Sequence, residues 1–403
     1  MKPEDRLDIH LPSGFRFSAA SAGIKASGRP DLALVECAPA TSAAALFTSN
    51  RVVAAPIEVG RECLRASRGR VRALIVNSGN ANCATGAAGA RNCKRICCML
   101  AELLQISPRE VFPSSTGIIG VPLPVEKITP KLQQLISKPG ATQGAVCDFA
   151  EAIMTTDTKP KIASARFAAR NRTVHLLGIA KGSGMIHPQM ATMLVYLFTD
   201  VAATPAQLKR LLRNACDETF NCISVDGDTS TNDTVLLMAS GRSGVALRGA
   251  ALRAKFGTAL LHVCRSLSEQ IVADGEGAQH VVRLKIERAK TRDEAMQVAR
   301  TIAHSLLVKT AFAGADPNWG RILAAVGRSG VPIDARQINI FIGGELVCRR
   351  GQRRTFAAEK VHAEMSKPNY EIRIRLGRGR ATATYLTTDL TTDYVRINAE
   401  YST

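Results

Sequence analysis

Three observations predict an α/β or α+β protein. Short apolar runs alternate with amphipathic stretches throughout the chain, the pattern of strands interleaved with helices. No short-period repeat, heptad run or low-complexity linker interrupts that alternation. A composition of 46% hydrophobic and 22% charged residues over 403 positions is ordinary globular usage, enough to bury a real core in two domains or one large unit.

The elements follow in chain order. Ala73–Val76 is an apolar strand that runs into the small, polar segment Asn77-Ser-Gly-Asn-Ala-Asn82, read as a loop. Gly86 to Leu104 has helical periodicity, and so has Thr142–Met154, with Ala145, Phe149 and Ile153 on one face. Arg172–Ile179 and Met193–Phe198 read as strands. Thr204-Pro205 places an N-cap before a proline at the first helical position, opening a helix toward Phe220. Ala250–Ala273 and Arg292–Lys309 are further helices, and Val281–Ile286, Ile338–Ile342, Tyr370–Leu376 and Ala381–Leu386 further strands. Segments dense in small and polar residues (Asn77–Asn82, Ser114–Gly120, Thr155–Lys159, Lys181–Thr192, Asp226–Asp233 and Asp316–Arg321) are read as loops where a site would sit.

Composition narrows the function classes. The formal net charge of +19 favours anionic substrates or a polyanion. Nucleic-acid binding would pair the basic clusters at Arg68 to Arg72, Arg349 to Arg354 and Arg373 to Arg380 with exposed stacking aromatics, yet aromatic content is only 4%. Solvated strand and turn edges are the plainer reading of those clusters, so no nucleic-acid partner is expected. The charged start Met1-Lys-Pro-Glu-Asp-Arg and the absence of a long apolar stretch argue against a secretory signal or membrane span. Eleven cysteines, an odd number, suit free thiols in a reducing compartment, and the expected location is the cytoplasm.

Most motif candidates fail on chemistry. Asp226-Gly-Asp-Thr-Ser-Thr-Asn-Asp233 begins like a calcium loop, but Thr231 and Leu237 stand where that loop needs Gly and a carboxylate. A turn network is expected there instead. No Walker triplet occurs, and Gly182-Ser-Gly184 is followed by His187 where a dinucleotide fingerprint needs its third glycine. Cys93, Cys97 and Cys98 share one helix without a completing pair, so they read as core thiols and no metal is expected.

The informative stretch is Lys181-Gly-Ser-Gly-Met-Ile-His-Pro-Gln-Met-Ala191-Thr192-Met-Leu-Val. Glycines and a proline shape the approach, and the small Ala191 precedes a threonine that opens an apolar strand. Such an arrangement suits attack by the Thr192 hydroxyl on the carbonyl of Ala191, giving an ester that water then cleaves. Thr192 would emerge as a new amino terminus. Its α-amine, with an ordinary pKa of about 7.7–8.0, would serve as a base for its own hydroxyl. From these local residues alone, Thr192 as merely the first residue of a core strand remains the competing reading.

Beyond that stretch the chain resembles the ornithine acetyltransferase family, the self-cleaving glutamate N-acetyltransferases of arginine biosynthesis. The resemblance is carried in order by Gly23-Ile-Lys25, Leu46-Phe-Thr-Ser-Asn50, Ala54-Ala-Pro56, Asn77–Asn82, Ser115-Thr-Gly-Ile-Ile-Gly120 and Met154-Thr-Thr-Asp-Thr158. Lys181-Gly-Ser-Gly-Met185, Met190-Ala-Thr-Met-Leu194, Asp226–Thr234 and Asp316-Pro-Asn-Trp-Gly-Arg321 follow. It implies helices packed outside two β-sheets in an αββα-type sandwich. It also implies cleavage between Ala191 and Thr192 into an α chain, 1–191, and a β chain, 192–403, with two of each associating. Thr192 would be the nucleophile of a ping-pong transfer of acetyl from N-acetyl-L-ornithine to L-glutamate.

By the same resemblance Thr116 and Gly117 form the oxyanion hole, and Thr155, Lys181, Thr192, Glu276, Asn398 and Thr403 bind substrate, with Thr156 the neighbouring alternative to Thr155. No tightly bound cofactor is implied, and acetyl-CoA is a further acetyl donor, which would make the enzyme bifunctional. A related self-cleaving aminopeptidase or amidohydrolase is the alternative. His187, Gln189, Cys222 and Gln279-His280 depart from the family pattern without removing a named group.

Overall fold

A computed structural model describes residues 9–169, 171–187 and 193–400. Two of its sheets lie face to face. The first has four strands in the order Phe15–Ala20, Leu32–Cys37, Ala73–Asn80 and Val111–Ile118. The second has five, in the order Ser42–Phe47, Thr234–Ala239, Leu194–Thr199, Arg172–Lys181 and Lys161–Ala169.

Side-chain alternation along the strands builds the layers. Ala33 and Val35 of the first sheet join Leu177, Ile179, Leu194, Tyr196, Phe198, Leu236 and Met238 of the second in the central core. Their neighbours point outward. Leu32 and Leu34 pack with Cys93, Ile96, Cys97 and Leu100 of helix Gly86–Leu104. Leu176, Val195, Leu197, Val235 and Leu237 pack with helices Pro205–Glu218 and Ala250–Ala273. Strands Leu194–Thr199 and Thr234–Ala239 are buried at every position, because each face meets a layer, and so their sequences read as unbroken apolar runs. Helices outside two sheets are the expected sandwich.

A third sheet of seven strands extends that expectation. Its order is Gln352–Arg353, Glu345–Arg349, Asn339–Ile342, Asn369–Arg375, Val281–Ala289, Ala381–Thr388 and Ile223–Ser224, with a core of its own under helix Arg292–Ala303.

Several expected boundaries move. Asn77–Asn80 and Ser114–Ile118 are strand, not loop, because their polar groups pair across the ladder. Ser115 Oγ donates to Asn77 Oδ1 at 2.6 Å, and Asn77 Nδ2 to the Asn80 carbonyl at 2.8 Å. The expected helix Arg292–Lys309 is two, Arg292–Ala303 and Leu306–Ala313. No glycine or proline marks the break; tertiary contacts impose it. His304 is held by His187 and Ser224, while buried Lys309 donates to the Thr388 carbonyl and hydroxyl.

The Arg349–Arg354 cluster lies on the edge hairpin, whereas Arg373 and Arg375 cover the Phe341 ring and Arg375 also meets Glu287. Among the described residues no helix is long and apolar enough to cross a membrane.

Candidate active site

Strand register starts the site. Arg172–Lys181 runs antiparallel to Leu194–Thr199 with Lys181 opposite Leu194, so Lys181 and the start of the apolar strand meet at one end of the second sheet. The first sheet ends there too, where Gly79 pairs with Gly117 across a bulge at Gly79/Asn80. Gly117 has φ +131°. A Cβ on it would lie 2.5 Å from Asn80 N and closer still to the Gly79 carbonyl carbon, so only glycine fits.

A cavity of about 250 Å³ opens at this junction. Thr116, Gly117, Thr155, Lys181, Glu276 and Asn398, all nominated from sequence, line it together, as does Thr156. Thr192, Ala191 and Thr403 lie outside the described residues.

Lys181 is 4% exposed and reaches two hydroxyls: its Nζ donates to Thr155 Oγ1 at 2.8 Å and to Thr116 Oγ1 at 3.2 Å. Burial lowers its pKa, opposed first by the charge of Asp157, 3.9 Å away. Thr156 instead meets Ser183 Oγ at 2.8 Å. Asp157 sits beneath the site, accepting from Lys161 Nζ at 2.7 Å, Gly182 N at 2.6 Å and Thr155 N at 3.0 Å. Burial opposes its charge, but Lys181 and Lys161 together hold the carboxyl at about 2. Asp274 completes the cluster at 2.6 Å from Lys161 Nζ.

Glu276 marks the opposite wall. Its carboxylate accepts from Asn398 Nδ2 at 2.9 Å, and its backbone N–H donates to the Ser183 carbonyl at 3.0 Å. The carboxylate lies directly against Gly184, where a Cβ would fall 2.5 Å from Glu276 Oε1. Asp226 and Asp228 line the same cavity. Burial raises the Asp226 carboxyl to about 6, although backbone N–H groups bind it. Charges in the cavity are therefore of both signs, with Lys181 beside Thr116 and Thr155, and Glu276 beside Asn398.

Two aspartates clamp the chain on either side of residues 188–192. Asp226 accepts from the backbone N–H of Met185 and of Ile186 (2.9 Å), and the Ile186 carbonyl accepts from Val225 N and Ser224 Oγ, both at 2.9 Å. Downstream, Met193 N donates to Asp233 Oδ1 at 3.0 Å, and Thr234 N to the Met193 carbonyl at 3.1 Å. Burial pushes the Asp233 carboxyl well above the usual range. The rest of Asp226–Asp233 is the expected turn network, with Asn232 Nδ2 bridging the Ala81 and Ser115 carbonyls at 2.7 and 2.8 Å. Among the described residues no group of three or more His, Cys, Asp or Glu is placed to hold a metal ion.

Sequence reasoning passed over Asp157, Asp226, Asp228 and Tyr394 as site residues. The first three lie inside quoted motifs, which was a usable signal; Tyr394, in helix Thr392–Glu400, carried none.

The ArgJ family model matches residues 16–403. The arginine biosynthesis bifunctional protein ArgJ of Chlorobaculum tepidum is 45% identical over 98% of this chain and 96% of its own length. The protein of the same name from Methylococcus capsulatus is 46% identical over 100% and 99%. A crystal structure of arginine biosynthesis bifunctional protein ArgJ from Bacillus halodurans aligns with a TM-score of 0.50 at 40% identity, covering 51% of this chain and 98% of that one. With near-complete coverage on both sides and a cavity built from the motif residues, the chain belongs to the ArgJ family, the bifunctional acetyltransferases of arginine biosynthesis.

Proposed function

We propose that the chain cuts itself between Ala191 and Thr192 and then moves acetyl groups on the freed threonine. The Thr192 hydroxyl attacks the Ala191 carbonyl, the C–N bond breaks as an ester forms, and water hydrolyses the ester to an Ala191 carboxylate and a free hydroxyl. The α chain is then 1–191 and the β chain 192–403. In catalysis the hydroxyl attacks the acetyl carbonyl of N-acetyl-L-ornithine and passes its proton through the Thr192 α-amine to the departing ornithine nitrogen. The amine of L-glutamate attacks the acetyl ester in the second half-reaction and regenerates the hydroxyl. Acetyl-CoA feeds the same ester, making N-acetylglutamate directly. Two α and two β chains assemble in the cytoplasm, without a tightly bound cofactor.

The observation that carries this reading is the cavity in which six residues nominated from distant parts of the sequence converge, with Asp226 and Asp233 holding the chain before and after residues 188–192. Thr116 and Gly117 serve as the oxyanion hole, and Gly117 lets a backbone donor approach closely. Lys181, with Thr155, addresses the substrate carboxylate. Glu276, held by Asn398, meets the side-chain ammonium of ornithine, and Thr403 contributes to binding. The Bacillus halodurans chain, matched over 98% of itself by half of this one, accords with a division near the middle.

A denaturing gel tests the cut. Wild type gives two bands near half size, and Thr192→Ala one band near 43 kDa; an intact wild type overturns the mechanism. Labelled acetyl-CoA plus glutamate, without acetylornithine, tests the second donor, and no product restricts the enzyme to recycling.

A further inference from the structure

A second cavity has a volume of about 540 Å³. Its floor is helix Arg292–Ala303, where Arg292, Met296 and Arg300 recur every four residues and His304 follows at the C-cap, so one face runs along the groove. Arg328 and Ser329 close the side, and His187, from the segment leading to the proposed cut, closes the end.

Three arginines here meet only one lining carboxylate, Asp293, and none of the three takes part in an ion pair among the described residues. Arg292 donates to the Asp217 carbonyl at 2.8 Å and Arg328 to the Thr301 carbonyl at 3.2 Å, both neutral partners. Arg300 Nε is buried with no hydrogen-bond partner. Elsewhere on the same sheet arginines do find carboxylates, as Arg375 with Glu287 and Arg378 with Glu294. Three guanidinium groups around one groove, facing a single carboxylate, are what an oxyanion would bridge.

The histidines add donors rather than charge. Burial holds both His187 and His304 at about 4, assisted by Arg300 at His187 and by the other ring at His304. Ser224 Oγ donates to the Ile186 carbonyl, so it accepts from His304 Nε2, 3.1 Å away. That N–H is shared with His187 Nδ1 at 3.0 Å, which leaves His187 with an Nε2–H donor.

The Asp226–Asp228 turn reaches both cavities. Asp226 and Asp228 line the first, and a Cβ on Gly227 would stand 3.5 Å from the His304 ring. We propose that the second cavity is a binding site for a phosphoryl oxyanion, built from Arg292, Arg300, Arg328 and the His187–His304 pair, beside the turn that lines the first cavity. The shared chemistry has two sources: free inorganic phosphate, or a phosphate of a nucleotide thioester such as a CoA donor. The site goes beyond the Thr192 chemistry, and binding can be measured without turnover.

Equilibrium dialysis of the purified full chain against radiolabelled inorganic phosphate, and against CoA, tests it. Saturable phosphate binding is expected, weakened about tenfold or more by Arg300→Gln and by the exposed pair Arg292→Gln/Arg328→Gln, and retained in Thr192→Ala. CoA binding much tighter than phosphate, and lost in the same variants, assigns the site to the donor; equal or weaker CoA binding assigns it to free phosphate. No saturable binding of either probe overturns the proposal, as does binding unchanged in variants whose circular dichroism matches wild type. An uncut wild type that still binds phosphate would sink the self-cleaving reading alone.

Discussion

Replacing Gly117 by alanine tests the oxyanion hole at its least forgiving point. The added Cβ would lie 2.5 Å from Asn80 N, where about 3.5 Å is comfortable, so the Val111–Ile118 strand end must retreat by about 1 Å. Nothing flexible can yield, because the obstructing atoms are backbone of the paired strand. A φ of +131° adds about 1–3 kcal/mol of backbone strain to a further 1–3 kcal/mol of overpacking. A donor moved by about 1 Å no longer meets the developing oxyanion, and losing one such donor costs about 10²–10³ in kcat. Acetyl transfer from acetylornithine to glutamate, normalised to the cleaved fraction on a denaturing gel, should therefore fall by that factor with KM little changed. Thr116→Val, which keeps the backbone intact, should cost less. A folded, cleaved Gly117→Ala enzyme turning over at the wild-type rate would refute the oxyanion assignment.

Other consequences follow from the charges. Asp157, held at about 2 against an ordinary 3.8, binds its proton less readily folded than unfolded. Its contribution of about 2 kcal/mol is present above pH 3.8 and lost as pH falls toward 2. The gap in unfolding free energy between wild type and Asp157→Asn should shrink by that amount between pH 5 and 2; a constant gap contradicts the role of the two lysines. The His187–His304 pair is depressed from 6.5 to about 4, so its contribution is full above pH 6.5 and fades as pH drops toward 4. His304→Asn should flatten the decline of Tm over that window, and an unaltered slope counts against the pair. Glu276→Gln should impair the ornithine half-reaction more than the glutamate one in single-turnover measurements; equal losses remove Glu276 from cation recognition. On a sizing column without denaturant, the two fragments of the cut chain should co-elute, and separation would contradict the shared sheet.

Much of the sandwich could be read from periodicity. Cys93, Ile96, Cys97 and Leu100 mark the buried face of one helix, and Thr204 caps another, accepting from Gln207 N at 3.3 Å. Polar strands escaped that reading. Asn77–Asn80 looks like loop because its amides seem to need water, yet Ser115 and Asn77 satisfy each other across the ladder. The break at His304 was equally hidden, since its partners Ser224 and His187 lie 80 and 117 residues away in sequence. Within the site, the sequence nominated six of the groups lining the cavity but neither Asp226, Asp228 and Tyr394 beside them nor the aspartates beneath. Asp157 is held by Lys161, Lys181, Gly182 and Thr155, and Asp274 meets Lys161, so both roles show only once the chain is folded.

Those layers also account for how such a chain can be divided and remain one structure. Strands Ser42–Phe47, Lys161–Ala169 and Arg172–Lys181 precede the proposed cut, whereas Leu194–Thr199 and Thr234–Ala239 follow it, and all five belong to one sheet. Two ladders cross the division, Arg172–Lys181 on Leu194–Thr199 and Ser42–Phe47 on Thr234–Ala239. The central core crosses it as well: Phe17 meets Phe198 edge-on at 5.1 Å, and Phe149 meets Tyr196 at 5.9 Å. Each such ring contributes on the order of 1.5–3 kcal/mol by burial, so packing and ladder hydrogen bonds hold the two pieces together without the cut bond. Asp226 holds the upstream flank and Asp233 the downstream one, yet both aspartates lie after the cut. Cleavage would therefore free the new terminus at Thr192 while its own chain keeps hold of both flanks, which is what a nucleophile needs in order to be released and stay in place.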